Sequence, residues 1–70
     1  MGMNIKLTRI TAGLYEYKAG SREYTVSRNA EDRNRWDVTC LVGGLCDWYE
    51  CTWAGLADVR EMIRCDLESL

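Results

Sequence analysis

The spacing of apolar residues changes once along this 70-residue sequence, close to Thr52. Before that point, short segments rich in β-branched and aromatic residues alternate with turn signals, which is the pattern of strands. After it, apolar residues recur at three- and four-residue steps, which is the pattern of one face of an amphipathic helix. These later residues are Leu56, Val59, Met62, Ile63, Leu67 and Leu70. The sequence therefore predicts an α+β fold, in which one C-terminal amphipathic helix packs on one face of an antiparallel sheet of three to five strands.

The turn signals divide the first part of the chain into short segments. We expect strands at Ile5–Thr11, Leu14–Lys18, Arg22–Arg28 and Arg35–Val42, and a last strand from Leu45 or Cys46 to Thr52. The first two can merge into one bent strand across Gly13, and Thr52 is the candidate N-cap of the helix. A chain of this length forms one domain, so residues 1–70 are treated as a single unit. Met1 and Gly2 are interpreted as appended residues before a natural start at Met3, and residues 1–3 together as an appended or disordered segment.

The glycine pair Gly43-Gly44 allows a tight hairpin turn between the last two strands. Strict alternation away from this turn assigns each side chain to one face of the hairpin. The face expected under the helix carries Trp36, Val38, Cys40, Tyr49 and Cys51. The face expected to stay open carries Asp37, Thr39, Leu41, Trp48, Glu50 and Thr52.

The types of residue present restrict the chemistry. The sequence has no histidine, which removes the commonest general base and the commonest metal ligand. Its four cysteines include no C-x-x-C pair, so we interpret Cys40 and Cys51 as small buried apolar residues. We expect a protein that is not an enzyme, with no cofactor and no metal. A structural domain that is stabilised by zinc or by a disulfide stays open as a separate hypothesis, beside the two functional ones given below.

Charge and hydropathy indicate the compartment and the partners. Residues 1–35 carry seven basic and four acidic side chains, and residues 36–70 carry two basic and seven acidic ones. The acidic second half suits a partner with a basic surface. The N-terminal residues show neither a signal peptide nor a membrane span, so we expect a cytoplasmic chain with no membrane partner.

Several short motifs resemble small uncharacterised accessory proteins encoded by phages of actinobacteria. They are I-T-x-G-x-Y-x-Y at Ile10–Tyr17, Y-x-V at Tyr24–Val26, R-W-x-V at Arg35–Val38 and A-D-V-R-E-M-I at Ala57–Ile63. The resemblance implies expression in the host cytoplasm and binding to host or defence proteins. It implies no catalytic residues.

Two functional hypotheses follow. The first is a protein-binding module that contacts a host protein through its open sheet face, with Leu41, Trp48, Asp37 and Glu50, or through an exposed strand edge. A homodimer through the same surface stays open beside it, because a small core gains from burial between two copies. The alternative is a small nucleic-acid-binding regulator that uses the arginines of residues 22–35. Those arginines are Arg22, Arg28, Arg33 and Arg35.

Overall fold

The computed structural model describes residues 4–53 and 55–70, and the prediction for residues 1–3 falls outside these ranges. It contains five strands and one helix. These are β1 (Thr8–Thr11), β2 (Leu14–Ala19), β3 (Arg22–Arg28), β4 (Trp36–Val42), β5 (Leu45–Thr52) and α1 (Leu56–Glu68). The strands lie in the sheet in chain order, and each pairs antiparallel with the next. The predicted α+β fold is confirmed, with the strand count at the upper end of the expected range.

Glycines with positive φ form the tight turns of this meander. Gly43 and Gly44 connect β4 to β5 with φ of 59° and 86°, a region that L side chains disfavour. Two consecutive positive φ values match the right-handed twist of the paired strands, and Val42 pairs directly with Leu45. Gly13, with φ of 75°, lies in the turn between β1 and β2, which are therefore separate strands.

The core lies between one face of the sheet and α1. Val59 and Ile63 of the helix are completely buried. The fully buried residues of the sheet are Tyr24, Val26, Val38 and Cys40, with Trp36 and Ile5 at the margins of the same cluster. Burying a large apolar side chain contributes about 1.5 to 3 kcal/mol, so these few contacts hold most of the fold together.

The helix runs back along β5, since Asp66 in the last third of α1 accepts a hydrogen bond from Trp48 in the first half of β5. Asp66 lies ten residues into α1, or about 15 Å along its axis. Trp48 lies four residues before the end of β5, or about 13 Å along the strand. These matched lengths bring Asp66 and Trp48 together near the far end of the helix.

One extra residue in β5 changes its register. Leu41 pairs with Cys46, but Cys40 pairs with Trp48, so Asp47 has no partner of its own on β4. A bulge of this kind inserts a single residue and reverses the alternation beyond it.

The bulge overturns part of the predicted assignment of faces. Trp48 and Glu50 lie opposite the buried Cys40 and Val38, and therefore on the side of the sheet that α1 covers. Tyr49 and Cys51 lie opposite Thr39 and Asp37 on the open face. The faces predicted for β4 are confirmed, and those predicted for β5 from residue 48 onward are wrong. This includes Thr52, which pairs with the buried Trp36.

The start of the helix also differs from the prediction. Its N-cap is Gly55, which offers no side-chain hydrogen bond, because Thr52 is still paired within β5. The acidic Asp58 lies in the first turn, where the helix dipole favours negative charge. In the described part of the chain, no helix has the length and apolar character needed to cross a bilayer.

Candidate functional site: an open strand edge beside the helix

Strand β5 forms one edge of the sheet. In the described part of the chain it pairs only with β4, so its outer side presents backbone N–H and C=O groups without a neighbouring strand. Both edge strands contain a register shift, but the opposite edge, β1, has four residues, whereas β5 has eight, five of which follow its bulge. A long edge is a template for pairing with another extended segment, and short irregular edges resist such pairing.

Exposed apolar side chains concentrate along this same edge. Leu45 is 77% exposed, Tyr49 57% and Trp53, directly after the strand, 63%. Only Ile10 and Leu70 join them as exposed large apolar residues within the described ranges. Aromatic residues in particular are enriched where proteins contact one another.

A groove runs between β5 and the second half of α1. Its volume is about 570 Å³, and it opens widely to solvent. Residues Trp48, Tyr49 and Glu50 line it from the strand, and Met62, Cys65, Asp66 and Ser69 line it from the helix. The helical residues are spaced three and four apart, so they form one stripe along α1 that faces the strand.

A hydrogen-bond network centred on Asp66 fixes the wall of this groove. The Trp48 indole Nε1 donates to Asp66 Oδ1 at 3.2 Å, and the Tyr24 hydroxyl donates to Oδ2 at 2.5 Å. The Arg22 guanidinium donates to the same Oδ2 at 2.8 Å and to Asp47 at 3.1 Å. These bonds connect β3 and β5 to the helix.

The network determines which acids of the groove carry uncompensated charge. Burial would raise the pKa of Asp66, but the hydrogen bonds from Tyr24, Arg22 and Trp48 outweigh it and hold that pKa below its ordinary value. Burial, and then the bond to Asp66, raise the pKa of Tyr24 to about 12. Asp66 is thus a carboxylate neutralised by Arg22. Glu50 is exposed, and no lysine or arginine of the described residues lies within ion-pair distance of it.

A second polar cluster lies on the open face. Asp37 accepts hydrogen bonds from the Asn29 side chain at 3.1 Å and from the Tyr49 hydroxyl at 3.0 Å. The Asn29 bond is the main reason that the pKa of Asp37 lies below its ordinary value. The bond to Asp37, followed by burial, raises the pKa of the Cys51 thiol, so this cysteine is a poor nucleophile.

The four residues predicted to form a protein-binding patch do not lie together. Leu41 and Asp37 are on the open face, as expected, while Trp48 and Glu50 are on the side of α1. The expected exposure of Trp48 on the open face is wrong, because it is half-buried against the core and bonded to Asp66. Their role in binding stays a prediction. Sequence reasoning missed the groove because the bulge at Asp47 has no strong sequence signal.

The four arginines of the nucleic-acid hypothesis lie at two ends of β3. Arg22 is committed to Asp66 and Asp47 at one end. At the other end, Arg28 stacks on Trp36 at 4.4 Å and Arg35 stacks on Trp53 at 4.6 Å. The length of β3 separates these ends by about 20 Å. The role of the four arginines in nucleic-acid binding stays a prediction.

The cysteines lie in separate environments. All four are free thiols, with Cys40 buried, Cys51 half-buried and both Cys46 and Cys65 exposed. Within residues 4–53 and 55–70, no three potential ligand side chains converge on a metal position. The expected burial of Cys51 under the helix is wrong, because the bulge turns it to the open face.

Comparisons with known proteins do not assign this geometry to a family. No family model, curated protein or solved structure matches the chain. The resemblance to phage accessory proteins stays a prediction, and the functional proposal rests on the edge strand and its groove.

Proposed function

We propose that this chain is a non-enzymatic protein-binding module that pairs its β5 edge with an extended segment of a partner protein. In keeping with the resemblance noted above, the partner is a host or defence protein, and the chain acts as a phage accessory protein in the host cytoplasm. The observation that carries the proposal is a long, open edge strand that runs beside a groove.

Strand addition uses both parts of this site. The partner's backbone groups bond to the outer side of β5, which supplies affinity, and its alternate side chains enter the adjoining groove, which supplies specificity. Side chains of the other parity lie on the open face near Tyr49 and Trp53, whose exposed rings offer apolar contact area.

The edge is also held in place before any partner binds. Trp48 is anchored to Asp66 on the helix, and the tilted rings of Trp48 and Tyr24 lie 6.2 Å apart. A site whose residues are already ordered loses less conformational entropy on binding. The ordered Trp48 side chain therefore supports a role for this edge in binding.

Charge favours a foreign partner over a second copy. Two copies that paired their β5 edges would each bring Asp47 and Glu50 to the seam, and like charges across a strand pair are destabilising. Residues 36–70 carry a net charge of −5, from two basic and seven acidic side chains. A partner segment with basic side chains is therefore a better occupant than another copy of this chain.

A displayed library of random peptides longer than β5 provides the test. Enriched peptides are synthesised and titrated into the ¹⁵N-labelled protein, with amide shifts and hydrogen exchange as readouts. The proposal predicts shifts concentrated in residues 48–52 and 62–69, with slowed exchange of β5 amides. Absence of binding peptides, or shifts centred on β1 or on residues 29–35, overturns it.

Two matched variants test the groove itself. Cys65→Tyr places a large ring in the groove, whereas Ala57→Tyr places the same ring at an exposed position of α1 outside the groove lining. We expect Cys65→Tyr to weaken peptide binding at least about tenfold, or about 1.4 kcal/mol. Ala57→Tyr should bind as the unmodified protein does. Equal binding by both variants contradicts a role for the groove.

A further inference from the structure

We propose that the groove between β5 and α1 selects a lysine or arginine side chain from the added strand. This inference rests on the proposed function, because it specifies the segment that β5 pairs with. It assigns the groove one occupant, a basic side chain on an extended peptide.

The shape and composition of the groove fit a long side chain with a charged end. Trp48 and Met62 are partly buried against the core and give the groove apolar walls, while Glu50 stands exposed at its rim. Lysine and arginine place their aliphatic stems on apolar surface and keep the charged group in water. A tryptophan ring also attracts such a cation through its π electrons.

Strand geometry places the basic residue next to Glu50. Side chains of an added strand alternate between faces, and those on the helix side lie beside Trp48 and Glu50 of β5. Directly opposed residues in neighbouring strands have Cβ atoms about 4.5 to 5.5 Å apart, which is within reach for an ion pair. The position of the partner segment that lies opposite Glu50 is therefore selected for positive charge.

The end of α1 strengthens the preference for a cation. The last turn of the helix carries no basic residue, and Ser69 at its C-cap lines the groove. The C-terminal end of a helix carries partial negative charge from its carbonyl groups. This negative end lies beside the same groove as Glu50.

The nearby cations are already committed. Arg64 bonds to Glu61 and to Glu68 on the surface of α1, and Arg22 bonds to Asp66 and Asp47. A bound peptide without a basic residue would therefore leave Glu50 partly desolvated with no counter-charge, which is unfavourable. An acidic segment would add direct repulsion.

Substitution in a β5-binding peptide tests the preference. Selected peptides are aligned, and the basic residue at the shared position is changed to norleucine or to glutamate. We expect affinity to fall about tenfold with norleucine and further with glutamate, and the affinity of the parent peptide to decrease as salt increases.

Charge reversal in the protein gives the complementary result. Glu50→Lys should lower the affinity for the basic peptide at least about tenfold and raise the affinity for its glutamate variant. Glu31→Lys makes the same change of net charge in the exposed loop before β4, and it should leave both affinities within about twofold. Equal effects of the two variants would mean that net charge, and not the groove, selects the peptide.

The outcomes separate this inference from the proposed function. Peptides that bind along β5 with no basic preference, or that are insensitive to Glu50→Lys, overturn the selection of a cation and leave strand addition standing. Peptides that fail to perturb β5 overturn strand addition itself. A basic preference together with reversal by Glu50→Lys supports both.

Discussion

The indole of Trp48 donates a hydrogen bond to the Asp66 carboxylate at 3.2 Å, and this bond joins the edge strand of the sheet to the last third of the helix. The same carboxylate accepts from Tyr24 and Arg22 on β3. One side chain of α1 therefore positions both a central strand and the edge strand. Trp48 and Asp66, which line the proposed binding groove, therefore also stabilise the fold.

Replacing Trp48 should destabilise the protein. Trp48→Ala removes apolar contacts and a hydrogen bond to a charged group, so we expect a loss of about 3 kcal/mol in the free energy of unfolding. Trp48→Phe keeps most of the contact area and should lose about 1 kcal/mol. Urea unfolding followed by circular dichroism measures both.

The control for Trp48 is a second tryptophan. Trp53 is 63% exposed and stacks on Arg35, so Trp53→Ala should change stability by less than about 0.5 kcal/mol. A Trp48→Ala variant as stable as Trp53→Ala would mean that Trp48 lies outside the core.

Stability should fall in acid partly because of Asp66. Its pKa is lower in the folded protein than in the unfolded chain, so folding favours the carboxylate. The contribution of Asp66 is present above its ordinary pKa and is lost as pH falls through the lowered value. Asp66→Asn should therefore cost about 2 kcal/mol near pH 7, and the difference from the unmodified protein should shrink towards pH 3.

Urea unfolding at a series of pH values measures this dependence. Asp58→Asn is the control, since Asp58 is an exposed aspartate in the first turn of α1. We expect its effect to stay below about 1 kcal/mol, the range of a helix-dipole interaction. A cost of Asp66→Asn that stays constant down to pH 3 would contradict the ionised network.

The four thiols should react at three different rates. Cys46 and Cys65 are exposed and should be alkylated first. Cys51 should follow slowly, because its bond to Asp37, and then burial, raise the pKa of its thiol. Burial likewise raises the pKa of Cys40, which should react only on unfolding.

Mass spectrometry of a time course with iodoacetamide at pH 8 resolves these steps. Asp37→Asn removes the carboxylate beside Cys51 and should accelerate that cysteine alone. Labelling of Cys40 in the folded protein at the rate of Cys65 would contradict the core.

The turn between β4 and β5 should tolerate few residues at position 43. Gly43 has φ of 59°, and an alanine there would meet no atom within 4 Å, so any cost arises from the backbone. Gly43→Ala should lose about 1 to 2 kcal/mol, and Gly43→Asn less, since asparagine visits this region more readily. Thermal unfolding of both variants is the measurement. A loss in Gly43→Asn equal to that in Gly43→Ala would point to another cause.

Local pattern predicted most of the fold. Turn glycines and β-rich segments placed five strands within a few residues of their observed bounds, and helical spacing placed α1 with Val59 and Ile63 facing the core. The N-cap prediction at Thr52 failed because pairing with Trp36 keeps Thr52 in the strand. Local capping preference was weaker there than tertiary pairing.

The candidate site was less predictable, for a specific reason. Trp48 and Tyr49 are adjacent aromatic residues, so either can be the one that faces the core. Only Asp47, which has no partner on β4, decides between them, and its side chain forms a salt bridge with Arg22, a residue 25 positions earlier. Simple alternation along the sequence therefore predicted the bounds of β5 correctly but assigned its side chains after Asp47 to the wrong faces of the sheet.

Asp47, which has no partner on β4, also affects how sequences with this fold can diverge. Loss of the single codon for Asp47 would leave Cys46 opposite Leu41 and Trp48 opposite Cys40, so the bulge would disappear while every later side chain of β5 kept its face. The same loss would remove the carboxylate that Asp47 offers to Arg22. Descendants that differ by this one codon could thus differ in the shape of the edge strand and still present the same sides of it to their surroundings.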